Sequence, residues 1–377
     1  MLISYRITIL ALLLLTTACT TTGVERVYAP VERATLLDGS LIGIEDPDLE
    51  DVPDIIAINK EMRSFLDEYV DPDWGSLQKV QAILAAILDD GLSLDYDAFE
   101  THTAQEAFYV REANCMSFTN LFVALARASG VSAQYQEVDV PTSWEEQGNS
   151  WLYNKHVNAV VDLAGTNVMI DFAVDVVETD HRRRVMRDRE AQARYHGNMG
   201  VHYLSAGDYD QSFRHLRQAL LLEPRTGFFW TNLGALYRRV KVFDAAEESF
   251  LIAVNRSSEP AAISSLARLY KDIGHYDLAD TYEERAQVFR RKNPYYLYAL
   301  AQESFDQGDY SAAARHARMA VNRKKEEPRF YSLLGLSYLK LGEMDAEHQQ
   351  FSKAAELAED EQERAIYNRK LDLLGKR

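Results

Sequence analysis

The stretch Arg111-Glu112-Ala113-Asn114-Cys115-Met116-Ser117-Phe118-Thr119-Asn120-Leu121-Phe122 decides how the first half of the chain is read. Phe118, Leu121, Phe122 and Leu125 fall on one helical face, so the spacing predicts a helix from about Ser117 to Ser129, stopped by Gly130. Cys115 then stands at or just before the first turn, where backbone N–H groups are unpaired and the positive end of the helix dipole lies. Both features favour thiolate over thiol, and the same N–H groups can hold an oxyanion. The chain has two cysteines, and Cys19 belongs to an N-terminal targeting segment, so Cys115 has no second thiol in the folded part. A lone cysteine is ordinarily a small apolar core residue. What lies downstream points instead to chemistry.

After Gly130 the texture changes. Val131 to Val140, Val157 to Leu163 and Val168 to Phe172 read as strands, the last two joined by a turn at Ala164-Gly165-Thr166-Asn167. His156 opens the second strand and Asp171 ends the third. Folded about the turn, they lie near the open end of one strand pair, roughly opposite, where a carboxylate can orient an imidazole. Cys115 as nucleophile, His156 as proton shuttle and Asp171 as orienting acid follow in that order on helix, strand and strand. Upstream, Ile55, Ile58, Met62, Phe65 and Leu66 recur at helical spacing, and a second helix runs from an N-cap at Asp73 to Gly91. Helices followed by an antiparallel meander make an α+β domain, here over 55–185.

From about Trp74 to Asp175 the sequence resembles a transglutaminase-like core, a relative of the papain-like thiol enzymes. The resemblance rests on Thr103-Ala104-Gln105-Glu106-Ala107-Phe108 with Arg111 to Cys115, on Leu121 to Gly130, on His156-Val157 and on Ile170-Asp171. It implies acyl transfer through a thioester, either hydrolysis of a peptide or amide or transfer to an amine. Cys115, His156 and Asp171 take the roles given above. Three positions depart from the family pattern. Ala113 stands where Gly is common, Phe172 where Pro often follows the Asp, and the aromatic near the oxyanion has only Trp144 and Trp151 as candidates. A second class of function fits the same fold: a non-catalytic envelope scaffold that binds a peptide in the old cleft.

Beyond about Arg189 the chain is helical and repetitive. Gly207, Lys241, Gly274, Gly308 and Gly342 mark successive spacings of 34, 33, 34 and 34 residues. Around each mark a small residue and an aromatic lie upstream, as in Gly200 with Tyr203 and Gly234 with Tyr237, and a small residue follows, as in Ala219 and Ala253. Ser304 breaks the pattern in the fourth unit. The period and grammar resemble the tetratricopeptide repeat, a pair of helices stacked into a solenoid. Five repeats are expected over 190–360, with a capping helix over 361–377. The family binds peptides on its inner face. Phe228, Thr231, Arg238, Arg268, Lys271, Tyr295, Tyr298, Gln302 and Phe305 are the residues expected there, aromatics beside cations suiting an extended or acidic peptide partner.

The 377 residues carry a formal net charge of -17, which disfavours nucleic acid as a partner. Residues 1–18 read as a signal segment: Arg6 supplies a positive region, and Ile7 to Leu15 is too short to span a bilayer. Leu15-Thr16-Thr17-Ala18-Cys19 resembles a lipoprotein cleavage box, with Cys19 as the lipidated residue, and Thr20 after it favours the outer membrane facing the periplasm. Residues 19–54 lack periodicity and end in an acidic, proline-containing run, so they read as a lipidated N-terminus and tether. The basic run His181-Arg182-Arg183-Arg184 with Arg187, Arg189 and Arg194 reads as a solvated linker helix or, alternatively, as a contact with acidic surface elsewhere in the chain. The other histidines are scattered with no metal-ligand grouping, and no cofactor is implied.

Overall fold

The computed structural model describes residues 25–96, 100–138, 146–147, 150–151, 156–163, 165–171, 183–257, 260–358, 364–365, 367 and 369. The first domain opens with α1 (Lys60–Tyr69) and α2 (Ser76–Ala85), the latter continuing as a π-helical turn over Ala86–Asp90. Both helices start later than the apolar spacing suggests. Asn59 caps α1 by accepting from the Met62 N–H, and Ile55 is buried ahead of the helix rather than in it. Gly75, not Asp73, precedes α2.

The short strand β1 (Asp95–Tyr96) pairs in parallel with β2 (Glu112–Ala113), and α3 (Ala104–Val110) lies between them. Next comes α4 (Cys115–Ala128), whose residues from Met116 to Ala126 are all buried. A helix buried on every side belongs in the core, and its polar Ser117, Thr119 and Asn120 are hydrogen-bonded there. It packs against a four-stranded antiparallel sheet of order β7-β6-β3-β8, formed by β3 (Ala133–Val138), β6 (His156–Leu163), β7 (Thr166–Ile170) and β8 (Arg183–Met186). A separate two-residue ladder joins β4 (Glu146–Gln147) to β5 (Ser150–Trp151).

His181 and Arg182 lie outside the described residues, and the next part of the basic run is a strand and not a solvated helix. Arg183–Met186 forms the β8 edge of the sheet. Arg184 and Arg194 both reach the nearly buried Glu137 of β3, and Arg189 donates to the carbonyls of Leu221 and Leu222. The acidic partner lies within the chain. A carboxylate taken into the sheet needs a cation beside it, and the run supplies two.

Ten helices follow in five antiparallel pairs: α5 (Asp188–Ala206) with α6 (Tyr209–Leu222), α7 (Gly227–Arg239) with α8 (Phe243–Ser257), α9 (Pro260–Asp272) with α10 (Tyr276–Arg290), α11 (Pro294–Asp306) with α12 (Tyr310–Arg323), and α13 (Pro328–Leu341) with α14 (Met344–Leu357). The five periodic marks are the turns inside the pairs. Gly207, Lys241, Gly274, Gly308 and Gly342 have φ of 82°, 65°, 82°, 81° and 78°, the left-handed conformation that reverses the chain after a helix. The small residues upstream have a steric reason. A Cβ on Gly234 would come within 2.6 Å of the Phe250 ring, so the paired helices touch there.

Two features lay beyond the repeat pattern. The apolar core of α5 joins that of the first domain, since Ala191 and Tyr195 pack in the same cluster as Phe118 and Leu121. A second core runs through the first three pairs, and separate smaller clusters serve α11 to α14. Among the described residues no apolar cluster is shared between α10 and α11. The solenoid is thus a head-bound block of three repeats followed by a block of two. Of the expected capping helix, most lies outside the described residues; Tyr367 is buried against the cluster of Tyr331 and Ala354.

Residues 25–54, expected as a tether, are instead a strap across the first three repeats. Tyr270 and Tyr282 in the third repeat donate hydroxyl bonds to the Glu25 carbonyl at 3.3 and 3.2 Å. The wholly buried Glu247 carboxylate accepts the N–H groups of Val27 and Tyr28 at 2.6 and 2.9 Å and the Tyr270 hydroxyl at 2.8 Å. Arg26 pairs with Glu248 at 2.6 Å. Further along, Leu36 has 0% exposure in the repeat core, and its carbonyl accepts from the Tyr237 hydroxyl at 2.7 Å. Asp48 meets Arg217 and Arg214 of α6, and the Pro53 carbonyl accepts from Gln192 of α5 at 2.6 Å. Periodicity does not reach this segment because, apart from single 3-10 turns at Thr35–Leu37 and Ser40–Ile42, it is neither helix nor strand. Its apolar residues are spaced by the pockets they enter.

Candidate active site

The site is assembled at the N-terminus of α4. Asn114 caps the helix: its Oδ1 accepts from the Ser117 N–H at 2.9 Å and the Ser117 hydroxyl at 3.0 Å, while its Nδ2 donates to Thr101 Oγ1 at 2.8 Å. The cap takes the third N–H of the helix and leaves those of Cys115 and Met116, the first two of the turn, without intrahelical acceptors. The preceding segment is held from several sides. The His102 N–H donates to Ser117 Oγ at 2.8 Å, Asn120 Nδ2 donates to the His102 carbonyl at 2.8 Å, and the buried Tyr135 hydroxyl donates to Asn120 Oδ1 at 2.8 Å. From the first repeat, Asn198 also donates to Thr101 Oγ1, at 3.2 Å. The loop before the nucleophile is therefore braced by both halves of the molecule.

Ala113 sits in β2 with no positive φ, so a methyl group is accommodated where the family commonly has Gly. The left-handed residue of this loop is Arg111, at φ 64°, which ends α3. The turn that Gly would permit has been made two residues earlier.

Cys115 is half-buried, and His156, at the start of β6, is 7% exposed. Asp171 follows β7, with its side chain 1% exposed. The register pairs Ala159 with Ile170, so the next step places Asp171 opposite Asn158 and diagonally across from His156. His156 Nε2 lies 2.9 and 2.7 Å from the two carboxylate oxygens of Asp171. That leaves Nδ1 for the thiol, and a side-chain hydrogen bond links His156 to Cys115. Burial is the largest single influence on the His156 imidazole and pushes its pKa down. The hydrogen bonds and charges of Asp171 and Cys115 together outweigh it and raise the pKa to about 9. The three residues singled out from sequence thus stand within one hydrogen-bonded chain.

The remaining nominated residues are distributed otherwise. Trp144 and Cys19 lie outside the described residues, and Trp151 is in β5. Of the expected inner-face set, Phe228 lies under the Arg194 guanidinium at 4.2 Å, and Thr231 Oγ1 donates to the Gly227 carbonyl. Arg238 pairs with Asp272 at 2.8 Å, and burial with the neighbouring Arg238 charge depresses the Arg268 pKa. Lys271 is exposed. Tyr295 meets the Phe330 ring edge-on and Tyr298 lies tilted against it, Gln302 donates to the Tyr298 hydroxyl, and Phe305 packs on Tyr310. They form several local clusters, not one continuous groove.

One juxtaposition had no signal in the sequence. His196 and His215, on α5 and α6, meet with their Nδ1 atoms 3.0 Å apart. Burial depresses both pKa values, to about 3 for His196, where the His215 charge adds to it, and to about 4 for His215. Among the described residues no three His, Cys, Asp or Glu side chains converge as metal ligands would. Nor is any helix among them long and apolar enough to cross a membrane.

Residues 63–167 match the model of the transglutaminase-like superfamily, and residues 328–361 match that of the tetratricopeptide repeat. The chain therefore carries a transglutaminase-like domain followed by a repeat solenoid, the module of protein–protein interaction. It is 26% identical over 188 residues to an Hsp70-Hsp90 organizing protein of Triticum aestivum, covering 40% of this chain and 32% of that protein. It thus spans about a third of the length of that curated relative. Among solved structures, MamA is 22% identical with a TM-score of 0.26, over 46% of this chain and 94% of that one. PilF of Pseudomonas aeruginosa is 16% identical with a TM-score of 0.27, over 50% and 94%.

Proposed function

We propose that the protein is a thiol acyl-transfer enzyme of the transglutaminase-like class, exported and anchored by lipid on Cys19, with a repeat domain that docks a protein partner. The observation that carries the chemistry is His156, held between Cys115 and Asp171 at the N-terminus of a buried helix. An imidazole with a pKa near 9 is charged at neutral pH, and its natural counter-charge is the Cys115 thiolate. The thiolate attacks an amide carbonyl carbon, and the carbonyl electrons move onto oxygen, which faces the free N–H groups of Cys115 and Met116. Collapse of this adduct breaks the C–N bond. The His156 imidazolium gives its proton to the leaving amine, and a thioester remains on Sγ. Water or a second amine then loses a proton to His156 as it attacks the thioester, releasing acid or new amide and restoring the thiolate–imidazolium pair. Asp171 holds the ring in place throughout.

The repeat domain suits docking of a protein beside this site. The strap already engages the first three pairs, so the last two carry the more open surface. Localisation at the outer membrane, facing the periplasm, follows from the lipoprotein-like box and Thr20.

The test is alkylation of Cys115 by iodoacetamide across pH. A thiol served by His156 labels fast at neutral pH, and His156→Ala should slow that labelling about tenfold. Slow labelling that His156→Ala leaves unchanged would refute the enzyme reading and favour a peptide-binding scaffold. Co-purification with Cys115→Ala would then identify what the cleft holds.

A further inference from the structure

The strand that carries His156 presents a second polar side chain to Asp171. Asn158 is two residues further along β6, has 0% exposure and lies among the buried Val157, Ala159, Val160 and Val161. Its Nδ2 donates to Asp171 Oδ2 at 2.8 Å, the same oxygen that His156 Nε2 approaches at 2.7 Å. Its own Oδ1 is buried without a hydrogen-bond partner among the described residues. These facts fit together. An ionised carboxylate only accepts, so the amide can face it only through its NH2 group. That orientation turns Oδ1 away from the carboxylate, where no donor among the described residues bonds it. An orphaned buried acceptor is a penalty that a leucine of similar volume would not incur. The neighbours of Asn158 along β6, Val157 and Ala159, are apolar, and across the sheet it stands between Asp171 on one side and the buried Gln136 of β3 on the other.

We propose that Asn158 is a positioning residue for the acyl-transfer site, holding the Asp171 carboxylate ionised and oriented toward His156. The proposal rests on the Cys115–His156–Asp171 reading. Its action runs through Asp171: with Asn158 in place the carboxylate is held at one oxygen from the strand opposite and cannot rotate away from the imidazole. A donor to the charged form of a carboxyl also keeps its pKa low.

The test uses the full chain with Asn158→Leu and, should that variant fail to fold, the smaller Asn158→Ala. Carboxyl-carbon NMR follows the titration of Asp171, assigned by loss of its signal in Asp171→Asn, and iodoacetamide alkylation of Cys115 is followed across pH in parallel. In either variant the Asp171 midpoint should rise by about one pH unit, and alkylation of Cys115 at neutral pH should slow with it. An Asp171 midpoint unchanged within about 0.2 units in a folded variant overturns the proposal, since a merely space-filling Asn158 would leave that titration alone. The two readouts fail separately. If Cys115 alkylates as an ordinary thiol in the unsubstituted protein while Asp171 still shifts in the variants, the acyl-transfer reading falls and the Asn158–Asp171 coupling stands.

Discussion

Leu36→Ala separates a docked strap from a solvated tether. Leu36 has 0% exposure and lies in the cluster with Phe213 and Tyr237, two residues of the repeat core. Removing three carbons from a fully buried leucine costs about 2–5 kcal/mol, depending on how far the surroundings collapse. The strap is tied down on both sides of Leu36, by Glu247 at residues 27 and 28 and by Arg217 and Arg214 at Asp48, so full collapse is prevented. About 3 kcal/mol is therefore expected. The assay is native-state hydrogen exchange of the Val27 and Tyr28 amides, whose bonds to Glu247 break when the strap lifts. A loss of about 3 kcal/mol speeds their exchange by roughly 100-fold, since each 1.4 kcal/mol is a factor of ten. A surface substitution in a loose tether would stay within about 0.5 kcal/mol and leave exchange unprotected from the start. Fast exchange at Val27 and Tyr28, or a change below 0.5 kcal/mol, would refute the docked strap.

Stability should fall on both sides of about pH 6.5. His196 and His215 are held neutral, with pKa values near 3 and 4, so the stability they contribute is whole above pH 6.5 and is lost as pH drops toward 4. Thermal melts from pH 4 to 7 should show this slope, and His215→Phe should flatten it. His156 acts in the opposite sense: its pKa is raised to about 9, so its contribution, on the order of 3 kcal/mol, is whole below pH 6.5 and lost as pH rises through 9. Melts of His156→Gln from pH 7 to 10 should lack that alkaline decline. Lys241 is the non-glycine among the five left-handed repeat turns, at φ 65°, and Lys241→Gly should raise stability by about 0.5–1 kcal/mol in denaturant melts; an equal loss would show that the lysine side chain contributes more than the strain removes.

The parts of the fold legible in the sequence are those that obey a period. The repeat marks were readable because a left-handed turn selects Gly at nearly constant spacing, and the helix behind Cys115 because its apolar face recurs every three or four residues. His156 and Asp171 could be placed together because a short turn between two strands leaves few registers. Asn158 escaped notice because an amide in a strand looks like an exposed polar residue; only the register shows that it sits opposite position 171. The strap and the His196–His215 pair escaped for a different reason. Both depend on contacts between residues whose proximity is fixed by helix packing and long-range docking, and neither has a local pattern. Arg183 to Met186 was misread because a dense run of arginines outweighs β-propensity, although pairing with Glu137 makes an edge strand of it.

The strap also imposes an order of events. Glu25 and Tyr282 touch although they lie 257 positions apart in sequence, and Leu36 and Tyr237 although they lie 201 apart. At roughly 5–20 residues per second of synthesis, on the order of 10–50 s separates emergence of the strap from completion of its seat. Throughout that interval Val27, Val31, Leu36 and Ile44 have nowhere to go. The strap is made long before its seat in the third repeat, so its apolar residues stay uncovered while that repeat is completed.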